Sequence, residues 1–176
     1  MKVVFLDIDG VLNTHKSALL YGNLFIETPG VAKKLDPYGS LFIKRLTQHG
    51  VKIVLSSTWR MGERFKRLAP QAFDFDILDR TAIYPFAKAI RGDEVQLWLD
   101  QHPEVTHYCI IDDDSDMLAQ QFPHFVHTNR DEGITFANMA KVCAILGFDV
   151  WDLTAYRKEP ELSIDELAGA DLPVSL

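Results

Sequence analysis

Residues 2–10 read KVVFLDIDG, and this stretch decides the fold. Its apolar run, rich in β-branched residues and without polar alternation, is the pattern of a strand buried on both faces. The run closes on Asp7 and Asp9, and Gly10 relaxes the turn and lets the backbone approach a ligand. Taken alone, D-x-D-G is also what a solvated turn after a strand looks like. Working outward, the pattern returns twice: Val51 to Leu55 runs into SSTWR at 56–60, and His107 to Ile111 runs into DDDSD at 112–116. Phe125 to His127 reads as a further short strand.

Between these strands the apolar spacing turns helical. Residues 38–49 place Phe42, Ile43 and Leu46 on one face, with Gly50 as the stop. A helix with Phe65 and Leu68 inward is expected after Arg60. Val95, Trp98 and Leu99 mark a helix over 93–101, and Phe136, Met139, Ala140, Cys143 and Leu146 mark another that Gly147 ends. FDIL at 75–78 and TAIY at 81–84 are each short enough to be a strand. Residues 10–36 show no clean period and read as a long loop or small flap, a length more often functional than idle. Ser163 and Glu166 have the spacing of a capping box for a short terminal helix. Strands alternating with helices predict an α/β fold with a parallel sheet covered on both sides. Ligands bind such sheets at the carboxyl ends of the strands, near a topological switch point. All three polar clusters fall there.

Hydrophobic residues make up 47% and charged residues 24% of 176, which suits one soluble globular domain. No apolar run approaches the roughly 20 residues that span a bilayer. The opening residues lack the long apolar stretch of a secretory signal, so a cytoplasmic location is expected, with no membrane and no obligate protein partner. Cys109 and Cys143 have no zinc-site spacing and read as small buried hydrophobes. The net charge is −7, but six acids fall at Asp7, Asp9, Asp112, Asp113, Asp114 and Asp116. Setting these aside leaves 18 basic against 19 acidic residues, so charge neither favours nor opposes a polyanionic partner.

Paired acids at strand ends suit phosphoryl transfer. A phosphate monoester needs a positioned nucleophile, a proton donor for the leaving oxygen and cationic cover. A carboxylate can be the nucleophile, through an aspartyl phosphate. Two anions repel, and Mg2+, which prefers oxygen ligands, would bridge them. Asp112, Asp114 and Asp116 also match the first positions of an EF-hand loop, but Met117 and Pro123 stand where that loop needs Gly and Glu.

DIDGVLN at 7–13, the strand ending in Ser56, and IIDDD at 110–114 together resemble, in the same chain order, the haloacid dehalogenase (HAD) superfamily. SSTWR at 56–60 and RGDEVQLWL at 91–99 resemble the HAD domains of RNA-repair proteins and, more distantly, the 3′-phosphatase half of polynucleotide kinase-phosphatases. The resemblance implies a HAD-like Rossmannoid three-layer sandwich over residues 1–148, with 14–36 as flap or loop insertion and 149–176 as an extension of the same domain. It implies Asp7 as nucleophile and Asp9 as general acid, later the base for water. Ser56 would bind the transferring phosphoryl group, with Ser57 beside it and Arg60 as a second phosphate ligand. Asp112 would hold Mg2+ with Asp7 and the backbone carbonyl of Asp9, supported by Asp113 or Asp116. Arg91, or alternatively Lys88, would be the cation pairing with nucleophile and phosphate. Trp59 reads as a core residue rather than a base-stacking one, and His15 takes no role.

The gaps at 14–36 and 61–87 are too short for a large cap domain, so an open site is expected. An open site suits a bulky phosphorylated substrate such as a nucleic-acid end, though a small molecule also fits. Two alternatives accompany the phosphohydrolase reading: a non-catalytic binding module of the same fold, and a phosphotransferase to an acceptor other than water. Intact Asp7, Asp9, Ser56 and Asp112 oppose the first.

Overall fold

The structure, a computed structural model, describes residues 1–21, 35–61, 72–83 and 90–153. The helix expected around Phe65 and Leu68, the alternative cation Lys88, most of the flap and the capping box at Ser163 lie outside the described residues.

Five parallel strands form one sheet: β1 (Lys2–Leu6), β2 (Lys52–Leu55), β3 (Asp79–Arg80), β4 (His107–Asp112) and β5 (Phe125–His127), in the order β3-β2-β1-β4-β5. Strand alternation divides the core in two. Val4, Leu6, Ile53, Leu55, Cys109 and Ile111 face one side, while Val3, Phe5, Val54 and Ile110 face the other. Helix α1 (His15–Tyr21) follows the first acidic turn. Helices α2 (Pro37–Gln48) and α4 (Phe136–Leu146) cover the first side with Phe42, Ile43, Leu46, Val142, Cys143 and Leu146. Helix α3 (Arg91–Asp100) covers the second with Val95 and Trp98, whose indole meets Phe5 edge-on at 5.3 Å. The result is the three-layer HAD-like Rossmannoid sandwich, without a large cap among the described residues.

Local chemistry explains the helix ends. Asp36 accepts the Gly39 N–H, with Pro37 opening the first turn of α2. Thr135 accepts the Asn138 N–H at the start of α4, and Gly147 ends it at φ 75°. Both cysteines are buried and unbridged. Among the described residues no helix is long and apolar enough to cross a membrane.

Three expectations shift. Neither FDIL nor the described part of TAIY is a strand; the edge strand is the two residues between them, Asp79–Arg80. Backbone bonds from Leu78 to Ile53 and from Thr81 to Leu55 anchor it. The third helix begins at Arg91 rather than Asp93, which puts that arginine in its first turn. The loop after Asp9 contains helix α1, tied to the segment after β5 by bonds from His15 N–H to the Arg130 carbonyl and from Lys16 N–H to the Asp131 carbonyl.

Register sets the site. Leu6 pairs with Leu55 on one side and Ile111 on the other, so the next residues, Asp7, Ser56 and Asp112, stand side by side. Bonds from Asp7 N–H to the Ile111 carbonyl and from Ser56 N–H to the Leu6 carbonyl, both 3.0 Å, continue the ladders to this edge. Alternation sends the three side chains to the face of Phe5, Val54 and Ile110, beneath α3. The strand order reverses at β1, so Asp7 and Asp112 flank the switch point.

Gly133 locks the first acidic turn to the segment after β5. Its φ is +73°, and a Cβ there would overlap the Val11 carbonyl. Gly50 has a similar φ of +82° but nothing within 4 Å of a built Cβ. Gly50→Ala is therefore expected to cost about 1 kcal/mol of backbone strain, and Gly133→Ala at least ~2 kcal/mol. Equal shifts of the two variants in urea denaturation would show that the Val11 contact is not a constraint.

Candidate active site

The polar strand ends enclose a cleft of about 350 Å3, lined by Asp7, Asp9, Gly10, Thr58, Arg91, Asp112, Asp113, Asp114 and Arg130. Five carboxylates therefore face two guanidiniums. Asp7 is 5% exposed and Asp112 1%, so both are almost wholly removed from water. Burial, reinforced by Asp112 and opposed by Arg91, raises the Asp7 proton affinity well above the ordinary carboxylate range. Burial likewise pushes Asp112 up to about 6, with Arg91 and the Asp114 N–H pulling the other way. An anion brought near such a pair needs further positive charge.

Arg91 supplies part of it. Its Nη2 lies 3.6 Å from Asp7 Oδ1, its Nε 3.3 Å from Asp112 Oδ2 and its Nη1 3.5 Å from Glu94 Oε2. The Nε–Oδ2 approach is an ion pair without hydrogen-bond geometry, and both atoms are buried without a hydrogen-bond partner. The backbone holds this arginine in place: its N–H donates to Asp116 Oδ2 at 3.0 Å, and the Gly92 N–H donates to the Asp116 carbonyl. Asp116 therefore caps α3. Gly92 is the only residue type that fits, because a Cβ there would meet the Leu118 backbone nitrogen at 2.5 Å.

The residues fit a divalent cation on two counts. Asp7, Asp112 and Asp113 each offer a carboxylate oxygen within 4.8 Å of the others. Asp112 Oδ2 is buried without a hydrogen bond, an orphan that a cation would satisfy. Asp113 is itself held by Arg130, whose Nε and Nη2 reach its Oδ2 at 2.7 and 2.6 Å. Gly10, at φ +83°, passes so close to Asp113 that any side chain there would overlap its carboxylate.

Asp9 is held differently. Its Oδ1 accepts from Asn13 Nδ2 at 2.6 Å and its Oδ2 from Trp59 Nε1 at 3.0 Å. Trp59 is a core residue, 1% exposed and packed against Phe73, and only its N–H reaches the site.

The second polar cluster divides its expected roles. Ser56 is buried on the Asp7 face, and its Oγ has no hydrogen-bond partner. Ser57 Oγ accepts the Trp59 N–H and caps the short 3-10 turn Thr58–Arg60, so it does not line the cleft. Thr58, which sequence reasoning passed over, does line it. Arg60 is neither a surface residue nor a lining one. Its Nη2 donates to Glu94 Oε2 at 2.6 Å, its Nη1 to the Ser56 and Ser57 carbonyls, and its Nε to the Thr81 carbonyl. With these N–H groups turned onto protein acceptors, it braces the turn after β2. Asn13 and Glu94 were also missed, although each belongs to a motif with a signal: Asn13 closes DIDGVLN, and Glu94 sits one helical turn from Arg91.

The family model described as HAD domain in Swiss Army Knife RNA repair proteins matches residues 3–139. No curated protein and no solved structure matches the chain significantly.

The buried acids make a linkage prediction. A carboxyl whose folded proton affinity is raised stabilises the fold fully below about pH 4, and that stability is lost as pH rises through about 6 for Asp112. A tenfold change in proton affinity between the folded and unfolded chain is worth ~1.4 kcal/mol. In chelator, wild type should therefore lose up to ~3 kcal/mol relative to Asp112→Asn between pH 4 and 7. A divalent cation at pH 7 should raise the denaturation midpoint of wild type but not of the variant. Parallel stability-against-pH curves for the two proteins would contradict the burial cost.

Proposed function

The chain belongs to the family of HAD domains in Swiss Army Knife RNA repair proteins, and on that premise we propose that it is a Mg2+-dependent phosphohydrolase acting on a phosphomonoester. The observation that carries this reading is the juxtaposition, at one switch point, of two buried acids, a cation that touches both, and a separately held third acid. Bound Mg2+ would supply charge cover for the phosphoryl oxygens, held by Asp7, Asp112, the Asp9 carbonyl and, in support, Asp113.

The chain's own residues do the rest. Asp7 attacks phosphorus in line and becomes an aspartyl phosphate as the P–O bond to the leaving group breaks. Arg91, already against Asp7 Oδ1, orients that oxygen and pairs with the phosphoryl group. Asp9 gives its proton to the leaving oxygen, then takes one from the water that cleaves the aspartyl phosphate and frees Asp7. The unpartnered Ser56 hydroxyl and the Thr58 hydroxyl at the cleft wall hydrogen-bond phosphoryl oxygens.

The substrate we propose is a phosphorylated nucleic-acid end. Two points support it: the family's description names RNA repair, and no large cap covers the cleft among the described residues. The test is phosphate release from 3′- and 5′-phosphorylated oligonucleotides beside nucleotides and sugar phosphates. Asp7→Asn should lose at least ~10^3-fold in rate and Arg91→Ala about 10^2-fold. EDTA should abolish turnover and Mg2+ restore it. Unchanged release by Asp7→Asn would remove the nucleophile from the mechanism; faster turnover of sugar phosphates would redirect the substrate.

A further inference from the structure

The Trp59 N–H is the one group on the second polar cluster's turn that reaches across to the acid after β1. We propose that Trp59 is a positioning residue for Asp9, fixing the plane of its carboxyl so that it can serve the leaving-group oxygen; this rests on the proposed role of Asp9 as general acid.

The geometry is specific. A carboxyl group rotates about its Cβ–Cγ bond unless both oxygens are held. Asn13 holds Oδ1 from four residues along the same loop, and Trp59 holds Oδ2 from the 3-10 turn after β2, 50 residues away in sequence. The two donors approach different oxygens and together define the plane. Indole suits the task because it has only two side-chain torsions and one donor. The Trp59 ring is 1% exposed, so the surrounding core confines its N–H. Its backbone is fixed as well: its N–H donates to Ser57 Oγ, and Arg60 clamps the same turn through the Ser56 and Ser57 carbonyls. Each carboxylate oxygen has a second lone-pair direction, and Asp9 itself lines the cleft, so the bonds leave it able to act there.

A positioned acid matters in proportion to how much the leaving group needs a proton. An alkoxide cannot depart unprotonated, whereas p-nitrophenolate can. Loss of orientation at Asp9 therefore predicts an unequal loss of rate, which loosened packing does not.

The experiment compares kcat and KM for an alkyl phosphomonoester and p-nitrophenyl phosphate in wild type, Trp59→Phe, Asp9→Asn and Phe73→Leu, all with Mg2+. Phe73→Leu removes the ring packed on Trp59 and leaves the N–H in place. Trp59→Phe is expected to lose at least ~10-fold in kcat on the alkyl ester but less than ~3-fold on the aryl ester, with KM unchanged, a part of the ~10^2–10^4-fold that general acid catalysis contributes. Asp9→Asn should show the same asymmetry more strongly, and Phe73→Leu none. Should Trp59→Phe fail to fold, 3-benzothienylalanine placed at position 59 keeps the shape and replaces N–H by sulfur. Equal losses on both esters, or no loss, in a folded variant would overturn the positioning role. If Asp9→Asn itself shows no asymmetry, the general-acid reading fails and takes this inference with it. Asymmetry in Asp9→Asn alone leaves that reading standing and removes Trp59.

Discussion

Two carboxylates buried side by side at the ends of adjacent parallel strands are the constraint on which this molecule is organised. Asp7 and Asp112 follow the paired residues Leu6 and Ile111, so their separation is set by the ladder and cannot relax without breaking it. Burial makes each costly to ionise, and proximity makes both together costlier still. A cation, fixed or exchangeable, offsets such a pair, as a shared proton also can. Here a fixed cation contributes part of the compensation, and the orphaned Asp112 oxygen shows that it is incomplete.

Much of the surrounding structure holds that cation. Arg91 sits in the first turn of α3 because Asp116, four residues beyond Asp112, receives its backbone N–H. Glu94, one turn along, restrains the guanidinium and is restrained in turn by Arg60, which belongs to the turn after β2. One chain of contacts therefore links the carboxyl ends of β2, β1 and β4 through charges that are largely buried. Arg60 illustrates what burial does to a strong base. Its proton affinity is lowered by desolvation and supported by Glu94, an arrangement stable only while both partners stay in place. Replacing one of them strands the other, so the brace is also a weak point.

The sequence made the strands and their acids legible for a physical reason: a buried parallel strand must be apolar on both faces, and a polar residue ending it stands out. KVVFLD and HYCIID carry that contrast within single short segments. The same reasoning placed α2 and α4 within about a residue of their ends, because capping and Gly stops are local chemistry. What escaped was decided at a distance. Nothing near Arg60 in the chain announces that Glu94 and the Thr81 carbonyl will receive it, so its bracing contacts could not be read from the sequence. The edge strand Asp79–Arg80 consists of two exposed charged residues and takes its strand geometry entirely from β2, so no apolar pattern could mark it. Thr58 rather than Ser57 reaches the cleft because the chain turns through a 3-10 helix there, and a run of three hydroxyl residues does not say which one the turn will present.

Two kinds of restraint on the acids also separate their chemistry. Asp7 and Asp112 are held by a guanidinium, and Asp113 by another, so each faces a full positive charge. Asp9 alone among these four is held, in the bonds to its carboxylate, by two neutral donors, an amide and an indole. A charged partner stabilises the anion and resists every event that neutralises it, whereas a neutral N–H fixes direction with a much smaller electrostatic penalty when a proton arrives. Groups meant to stay anionic, as nucleophile or cation ligand, gain from the first kind of partner. A group meant to exchange a proton in each half of a reaction gains from the second. The same short loop provides both, because the Asp7 side chain turns beneath α3 toward Arg91 while the Asp9 carboxyl meets Asn13 and the indole of Trp59.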